Sequence, residues 1–500
     1  MSAKQKAFII GSGIAGIACA IRLAVQGFAV TVFEKNSYPG GKLFTFEKDD
    51  YRFDTGPSLF VQPQNIEELF TLAGEDIHEY IKYKPIDIAC KYFYEDGTII
   101  NAYTNKEKFA NELQQKTGEP VQHAFSYLKE SEKIYNNIGN IFLSRSLHKK
   151  STWRNRSILK ALATTRPGYI FSTLHEANKK KFKSPHIIQL FNRYATYSGS
   201  NPYKAPAMLK LIPHLELNEG VFYPQGGMIA INNSLYNLAV KKGVIFKFNT
   251  SVERIIESDN EAKGIVINHE NLFADVVISN ADVYFTYLKL LNNSYLAKKT
   301  LKQERSSSAL IFYWGIKQEF PHLELHNIFF SKDYEAEFKS IFKTKNPYND
   351  PTVYINITSK MEPGIHAPAA KENWFVMVNV ASDLCMSEEA IINAYKKNIL
   401  AKLNRMLQTD IQPLIESETI LHPKKIEEET MSFSGALYGT SSNSRKAAFL
   451  RHPNFSKDIH RLYFTGGSVH PGGGIPLCLK SAEITTEIIA NDSKKWKTHE

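Results

Sequence analysis

The chain has 500 residues, 43 % of them hydrophobic and 22 % charged. That balance excludes disordered and fibrous proteins and leaves room for two or three domains, of which two intertwined ones are expected. The formal net charge is +10, and a surplus of the same size sits in one window, because eleven Lys and Arg residues and a single acid, Glu176, fall between Leu143 and Pro185.

Residues 7–10 are a short apolar run, Gly11-Ser12-Gly13 is a turn, 14–25 is compatible with a helix, and 29–33 is a second apolar run ending at Glu34. This order predicts a βαβ unit. The apolar stretch 7–21 superficially imitates a secretory signal, but glycines and Ser12 interrupt it and Arg22 ends it, short of the roughly 20 apolar residues a membrane helix needs. No targeting peptide and no membrane span are expected. The window 143–185 follows, with Trp153, Leu159, Leu162, Tyr169 and Phe171 interleaved among its charges. Such a mixture suits the headgroup region of an anionic membrane or, more plainly, a solvated helical face. No recognition module accompanies the charge, so nucleic-acid binding is not expected.

Further along, 229–242 reads as a helix, and short strand-like runs at 244–248, 252–256, 264–268 and 276–279 read as more of the first layer. The segment 307–316 reads as a buried strand. At the end the order strand (461–464), glycine-rich loop (465–474), helix (475–490) returns. The fold class expected is therefore α/β, a discontinuous Rossmann-like domain made of 1–85, 215–281 and 431–500, with a second α+β domain of 86–214 and 282–430. The four cysteines, Cys19, Cys90, Cys385 and Cys478, are far apart and lack C-x-x-C spacing. They predict neither a zinc site nor a disulfide framework and fit a reducing cytosol.

Gly11-x-Gly13-x-x-Gly16 stands after a strand and opens a helix, with Glu34 placed 23 residues beyond the first glycine. In that context the glycines permit a tight turn, close approach of a pyrophosphate and packing of helix on strand, while the helix N-terminus offers amide donors. Gly11, Ser12, Gly13, Ile14, Ala15 and Gly16 are thus candidates for phosphate contact, and Glu34 for the ribose hydroxyls. The fingerprint alone leaves NAD and FAD open.

Glu34-Lys35 is followed by Pro39-Gly40-Gly41-Lys42, then by Phe53-Asp54-Thr55-Gly56-Pro57-Ser58. Later come Phe222-Tyr-Pro-Gln-Gly-Gly-Met228, Ser251-Val252-Glu253-Arg254-Ile255, Ser279-Asn280-Ala281-Asp282, and Tyr463-Phe-Thr-Gly-Gly-Ser-Val-His-Pro-Gly-Gly-Gly-Ile-Pro476. In this order they resemble the motifs of the amine-oxidase and phytoene-desaturase flavoproteins, and the last resembles the carotenoid-desaturase signature. The resemblance implies FAD as cofactor, with Lys35, Gly41, Lys42, Thr55, Gly56, Pro57, Ser58, Val252, Asn280, Gly466, Gly467, Gly474, Ile475, Pro476 and Leu477 joining the binding set. Related flavoproteins often carry an acid where Gly467 stands, which puts the ribityl contact of that acid in doubt here.

It also implies a carotenoid drawn from the bilayer by a cytoplasmic enzyme resting on the inner face of the cell membrane, with oxygen or a quinone reoxidising the flavin. No Ser/His/Asp set or metal-ligand cluster suggests another chemistry, and no metal is expected. Arg193, Tyr197 and His470 are candidates for a polar role near the flavin, each more readily explained as a buried hydrogen-bond partner. The stretches 53–63, 87–97 and 327–331 resemble the bacterial 3,4-desaturase branch. They imply a γ-carotene-type or 1-hydroxylated substrate and a new double bond at C3–C4. The rivals are a phytoene desaturase, a carotenoid isomerase or saturase, an amine oxidase, and a non-catalytic carotenoid-binding protein.

Overall fold

The computed structural model describes residues 4–154, 168–384 and 386–496. Its fold is α/β. Five parallel strands form one sheet in the order Leu462–Phe464, Val276–Ser279, Lys6–Ile10, Ala29–Phe33, Ile245–Lys247. Parallel strands need crossovers and bury both faces, which is why 7–10 and 276–279 read as unbroken apolar runs. Helix Ile14–Val25 lies on this sheet, with Ile17, Ala18 and Ile21 in a core shared with Leu235 and Leu238 of helix Ile229–Lys241 and with Leu479 and Ala482 of helix Ile475–Trp496. Gly16 lets the first helix come this close, since a Cβ there would lie 2.3 Å from the carbonyl oxygen of Gly11.

Two of the expected strands leave this layer. Arg254–Ser258 and Glu261–Ile267 pair antiparallel with each other, and the second pairs with Glu270–Phe273, giving a separate three-stranded sheet. The turns Asp259-Asn260 and Asn268-His269 take positive φ, and hairpin connections of this kind can only join antiparallel neighbours.

A second large sheet has seven strands in the order Ile415–Leu421, Ser308–Ile316, Glu372–Val380, Val353–Asn356, His326–Phe329, Ile88–Phe93, Ile99–Tyr103. All pairings are antiparallel except that of His326–Phe329 with Ile88–Phe93. Successive side chains of a strand point to opposite faces. One face of this sheet carries Leu310, Phe312, Trp314, Trp374, Val376 and Val378 into a core with Ile391, Tyr395, Ile399 and Leu403 of helix Glu388–Leu407. That helix is set by the Ser387 side chain accepting from Ala390 N, by Glu388 and Glu389 in its first turn, and by a left-handed Gln408 at its end. The opposite face, carrying Tyr313, Phe375, Met377, Tyr354, Ile328 and His326, turns toward the parallel sheet and floors a cavity.

Candidate active site, a cavity between the two sheets

The cavity holds about 1440 Å³, more than the roughly 300–1,000 Å³ typical of a site for one small ligand. Its two ends are built differently. One is mostly backbone: Gly11, Gly13, Ile14 and Ala15 from the first turn, Gly41 and Lys42, Thr55 to Ser58, and Gly466, Gly467, Gly474, Ile475 and Pro476 from the C-terminal loop. Glu34, Lys35, Val252 and Asn280 complete this end. The helix that begins at Ile14 has Gly13 as its N-cap and no side-chain cap, so its first-turn amides and the positive end of its dipole are left for an anion. A Cβ at Gly13 would meet Asn280 Oδ1 at 2.7 Å, and one at Gly466 would meet Asn280 Nδ2 at 2.6 Å. Asn280 therefore sits between two glycine turns brought together from opposite ends of the chain, its amide held by the Thr465 carbonyl at 3.0 Å.

Ser12 and Gly16 are not lining residues. Ser12 is fully buried, and its backbone N and its Oγ both donate to Glu34 Oε2 at 2.8 Å, while Glu34 Oε1 accepts from Asn36 N at 2.9 Å. Ser12 thus fixes the carboxylate that faces the cavity. Lys42 donates to the Leu437 carbonyl at 2.8 Å, and burial pulls its ammonium below the usual lysine range. These features fit a dinucleotide: glycine cradles that side chains would fill, an uncapped helix start, and an acid and a lysine at suitable points.

Leu477 and His470 also lie off the lining. The imidazole of His470 is turned away, its Nε2 meeting the Arg145 carbonyl oxygen at 3.0 Å while its own carbonyl accepts from Asn454 Nδ2 at 2.8 Å. Burial lowers its pKa to about 4. It ties the glycine loop to the segment around Arg145 and has no access to a ligand.

The other end of the cavity is made of side chains. Ile311, Tyr313, Phe375, Met377 and Ile328 form an apolar floor. Against it stands an ion pair that the sequence did not announce. Arg193 Nη2 donates to both carboxylate oxygens of Glu216 at 3.0 and 3.2 Å, Tyr194 OH donates to Oε1 at 2.9 Å, and Tyr197 OH donates to Oε2. The guanidinium lies over the rings of Tyr92, Tyr194 and Tyr197 at 4.6 to 5.2 Å. Arg193 and Tyr197 line the cavity, as does Glu216. Burial holds the Tyr197 phenol well above its ordinary range. Glu216 is missed by motif reasoning because its neighbours Leu215 and Leu217 only mark a packed turn.

His326 and Tyr354 are likewise lining residues outside any motif. They are joined to the Thr55–Ser58 turn through hydrogen bonds from Ser58 Oγ to Tyr354 OH (2.8 Å) and from Tyr354 OH to His326 Nδ1 (2.7 Å). Among the described residues no group of three or more His, Cys, Asp or Glu could hold a metal. No helix among them is long and apolar enough to cross a membrane.

Residues 14–490 match the family model described as flavin containing amine oxidoreductase. The 1-hydroxycarotenoid 3,4-desaturase of Flavobacterium sp. (strain P99-3) is 51 % identical over 489 residues, covering 97 % of this chain and 99 % of that protein. A phytoene desaturase of Fusarium fujikuroi is 29 % identical over 520 residues, covering 98 % and 90 %. A crystal structure of an oxidoreductase from Methanosarcina mazei superposes with a TM-score of 0.61 at 15 % identity, over 97 % of this chain and all of that one, a likeness of fold.

Proposed function

The chain belongs to the family of flavin-containing amine oxidoreductases, and from that premise we propose that it is an FAD-dependent carotenoid desaturase. It forms the C3–C4 (3′,4′) double bond at the acyclic end of a 1-hydroxylated or γ-carotene-type polyene. The supporting observation is one continuous cavity that runs from a glycine-backed dinucleotide cradle into an apolar, aromatic lobe. The near full-length likeness to a 3,4-desaturase agrees with it, whereas the phytoene desaturase is more distant. In this reading 1–85, 215–281 and 431–500 hold the cofactor, and 86–214 and 282–430 hold the polyene.

Bound FAD supplies the acceptor for the hydride that leaves one allylic carbon, while the neighbouring carbon gives up a proton. The chain's own contribution is placement. The uncapped start of helix Ile14–Val25 takes the pyrophosphate, Glu34 the ribose, and the turn Thr55–Ser58 with the loop Gly466–Pro476 borders the ring. Tyr313, Phe375 and Met377 hold the polyene and keep water out. Arg193 and Glu216 satisfy each other, so this end of the cavity carries no net charge to oppose an apolar chain.

The substrate is dissolved in lipid, so the enzyme rests on the inner face of the cell membrane, with oxygen or a membrane quinone taking the electrons. Trp153 and Phe171 are 40 % and 62 % exposed; in the sequence Lys149, Lys150 and Arg154 flank the first and the Lys179–Lys181 run follows the second. Arg156, Lys160, Arg166, Leu159 and Leu162 of the same window lie outside the described residues. Co-flotation with anionic but not neutral vesicles is the expected result, and equal partition to both would remove the electrostatic part of this reading.

The deciding experiment is anaerobic mixing of flavin-loaded protein with a 1-hydroxylated acyclic-ended polyene. Bleaching of the oxidised flavin band together with a product absorbing at longer wavelength is expected. A flavin that stays oxidised in front of every polyene offered would sink the proposal.

A further inference from the structure

The wall of the apolar lobe includes a histidine with a buried ring nitrogen that nothing in the protein satisfies. His326 is 2 % exposed and lies on the cavity face of the seven-stranded sheet, two residues before Ile328 on the same face, and its Nε2 has no hydrogen-bond partner. The other ring nitrogen is doubly engaged, by Tyr354 OH at 2.7 Å and by Asn356 Nδ2 at 3.2 Å. The Asn356 amide is oriented by the Leu325 carbonyl, which can only accept, at 3.0 Å from the same Nδ2. Asn356 therefore presents an N–H to His326, so Nδ1 is the acceptor. Burial and the nearby Arg193 charge lower the pKa of the ring to about 3, so the imidazole is neutral and its one proton resides on Nε2. The result is a fixed, buried N–H donor with nothing to donate to.

Resting on the desaturase reading above, we propose that His326 Nε2–H is the hydroxyl-reading group of this site, donating to the oxygen of a tertiary alcohol at the end of the polyene. An oxygen on C1 is about three bonds from C3, so whatever binds it must stand next to the reacting bond. His326 meets that requirement, because Tyr354 links it to Ser58 in the turn that borders the flavin ring. Other unpartnered polar atoms on the lining are less suited. Arg193 Nε belongs to a guanidinium committed to Glu216 and enclosed by three tyrosine rings, and Tyr313 OH stands among Phe46, Phe53 and Phe375. The ligand class is thus an acyclic polyene bearing a neutral hydroxyl, not a hydrocarbon end.

The test compares kcat/KM of the flavin-loaded full chain for two polyenes identical except for a hydroxyl or a hydrogen on C1. A site built to hydrogen-bond a hydroxyl rejects the analogue that lacks it, so the wild type should prefer the alcohol by about tenfold or more. His326→Phe should bring the ratio near one, with the loss on KM. His326→Gln, whose amide nitrogen reaches the region of Nε2, should keep an intermediate ratio. A wild-type ratio near one overturns the proposal without any variant, and so does a wild-type ratio kept in full by His326→Phe. If the wild type converts neither polyene, the desaturase reading has failed, and that outcome differs visibly from turnover of both at equal rates.

Discussion

The two ends of the cavity are built from different material. The glycine-backed end is made from turns of backbone: Gly11 to Ala15, Gly41, and Gly466 to Gly474 are near one another because a parallel sheet gathers their strands. The apolar end is made from side chains that alternate along antiparallel strands, with His326, Tyr354 and Phe375 each contributed by a different strand. A backbone site tolerates no added atom but needs little from its side chains. A side-chain site is the reverse: its walls can be exchanged for others of similar volume, and its few polar members are fixed by mutual bonding.

The sharpest way to break this contrast is Gly16→Ala. Its new Cβ would sit 2.3 Å from the Gly11 oxygen, moving the helix off the strand, and loss of the protein-bound flavin absorbance is expected. Retention of flavin at wild-type stoichiometry would mean that the first turn is not a close-packed cradle. Next in size is Glu216→Ala, which strands the buried Arg193 charge. Breaking a buried ion pair by removing one partner costs about 3–5 kcal/mol, read as a lowered denaturant midpoint, while a change below about 1 kcal/mol would show the pair to be as good as solvated. Glu216→Gln should be milder, because its amide oxygen still accepts from Arg193 and from one of the two tyrosines.

The remaining effect is set by pH and runs through His326 on the cavity wall and His452 and His470 off it. Burial holds His326 and His452 near about 3 and His470 near about 4, below the ordinary value of about 6.5. Below that ordinary value the unfolded chain takes up protons that the folded chain refuses, so stability is lost as the pH falls from about 6.5 toward 4, by at most about 1.4 kcal/mol per pH unit for each histidine. Chemical unfolding at a series of pH values measures this slope, and His326→Phe should make it shallower by one proton's worth. An unchanged slope would mean that His326 titrates normally.

The same contrast explains what could be read from the sequence. Backbone sites leave glycines at fixed spacings, and Gly11, Gly13, Gly41, Thr55 to Ser58 and both ends of the C-terminal loop are found on the cavity from spacing and likeness alone. Leu477 and His470 lie off the lining for a local reason: a motif fixes the path of the loop but not which way each side chain on it turns. Ser12, fully buried under Glu34, shows that a member of a binding motif can act through its neighbour. The runs 252–256 and 264–268 read as members of the parallel sheet because apolar runs reveal burial and say nothing of partners, which here are decided by the tight turns next to them. Glu216, His326 and Tyr354 leave no trace, since a wall assembled from residues on separate turns and strands, 28 to 138 positions apart, has no motif spacing to detect.

The order of strands in the parallel sheet has a consequence for how the protein comes into being. Lys6–Ile10 lies between Ala29–Phe33 and Val276–Ser279, and the edge strand Leu462–Phe464 is made more than 450 residues after it. Pairings across such separations are slow to close, so the N-terminal turn emerges long before the strands that support it. Flavin capture must then follow synthesis instead of accompanying it, and a chain interrupted anywhere before residue 462 would present a nascent nucleotide fold with half of its cradle missing, an aggregation-prone intermediate for chaperones to shield.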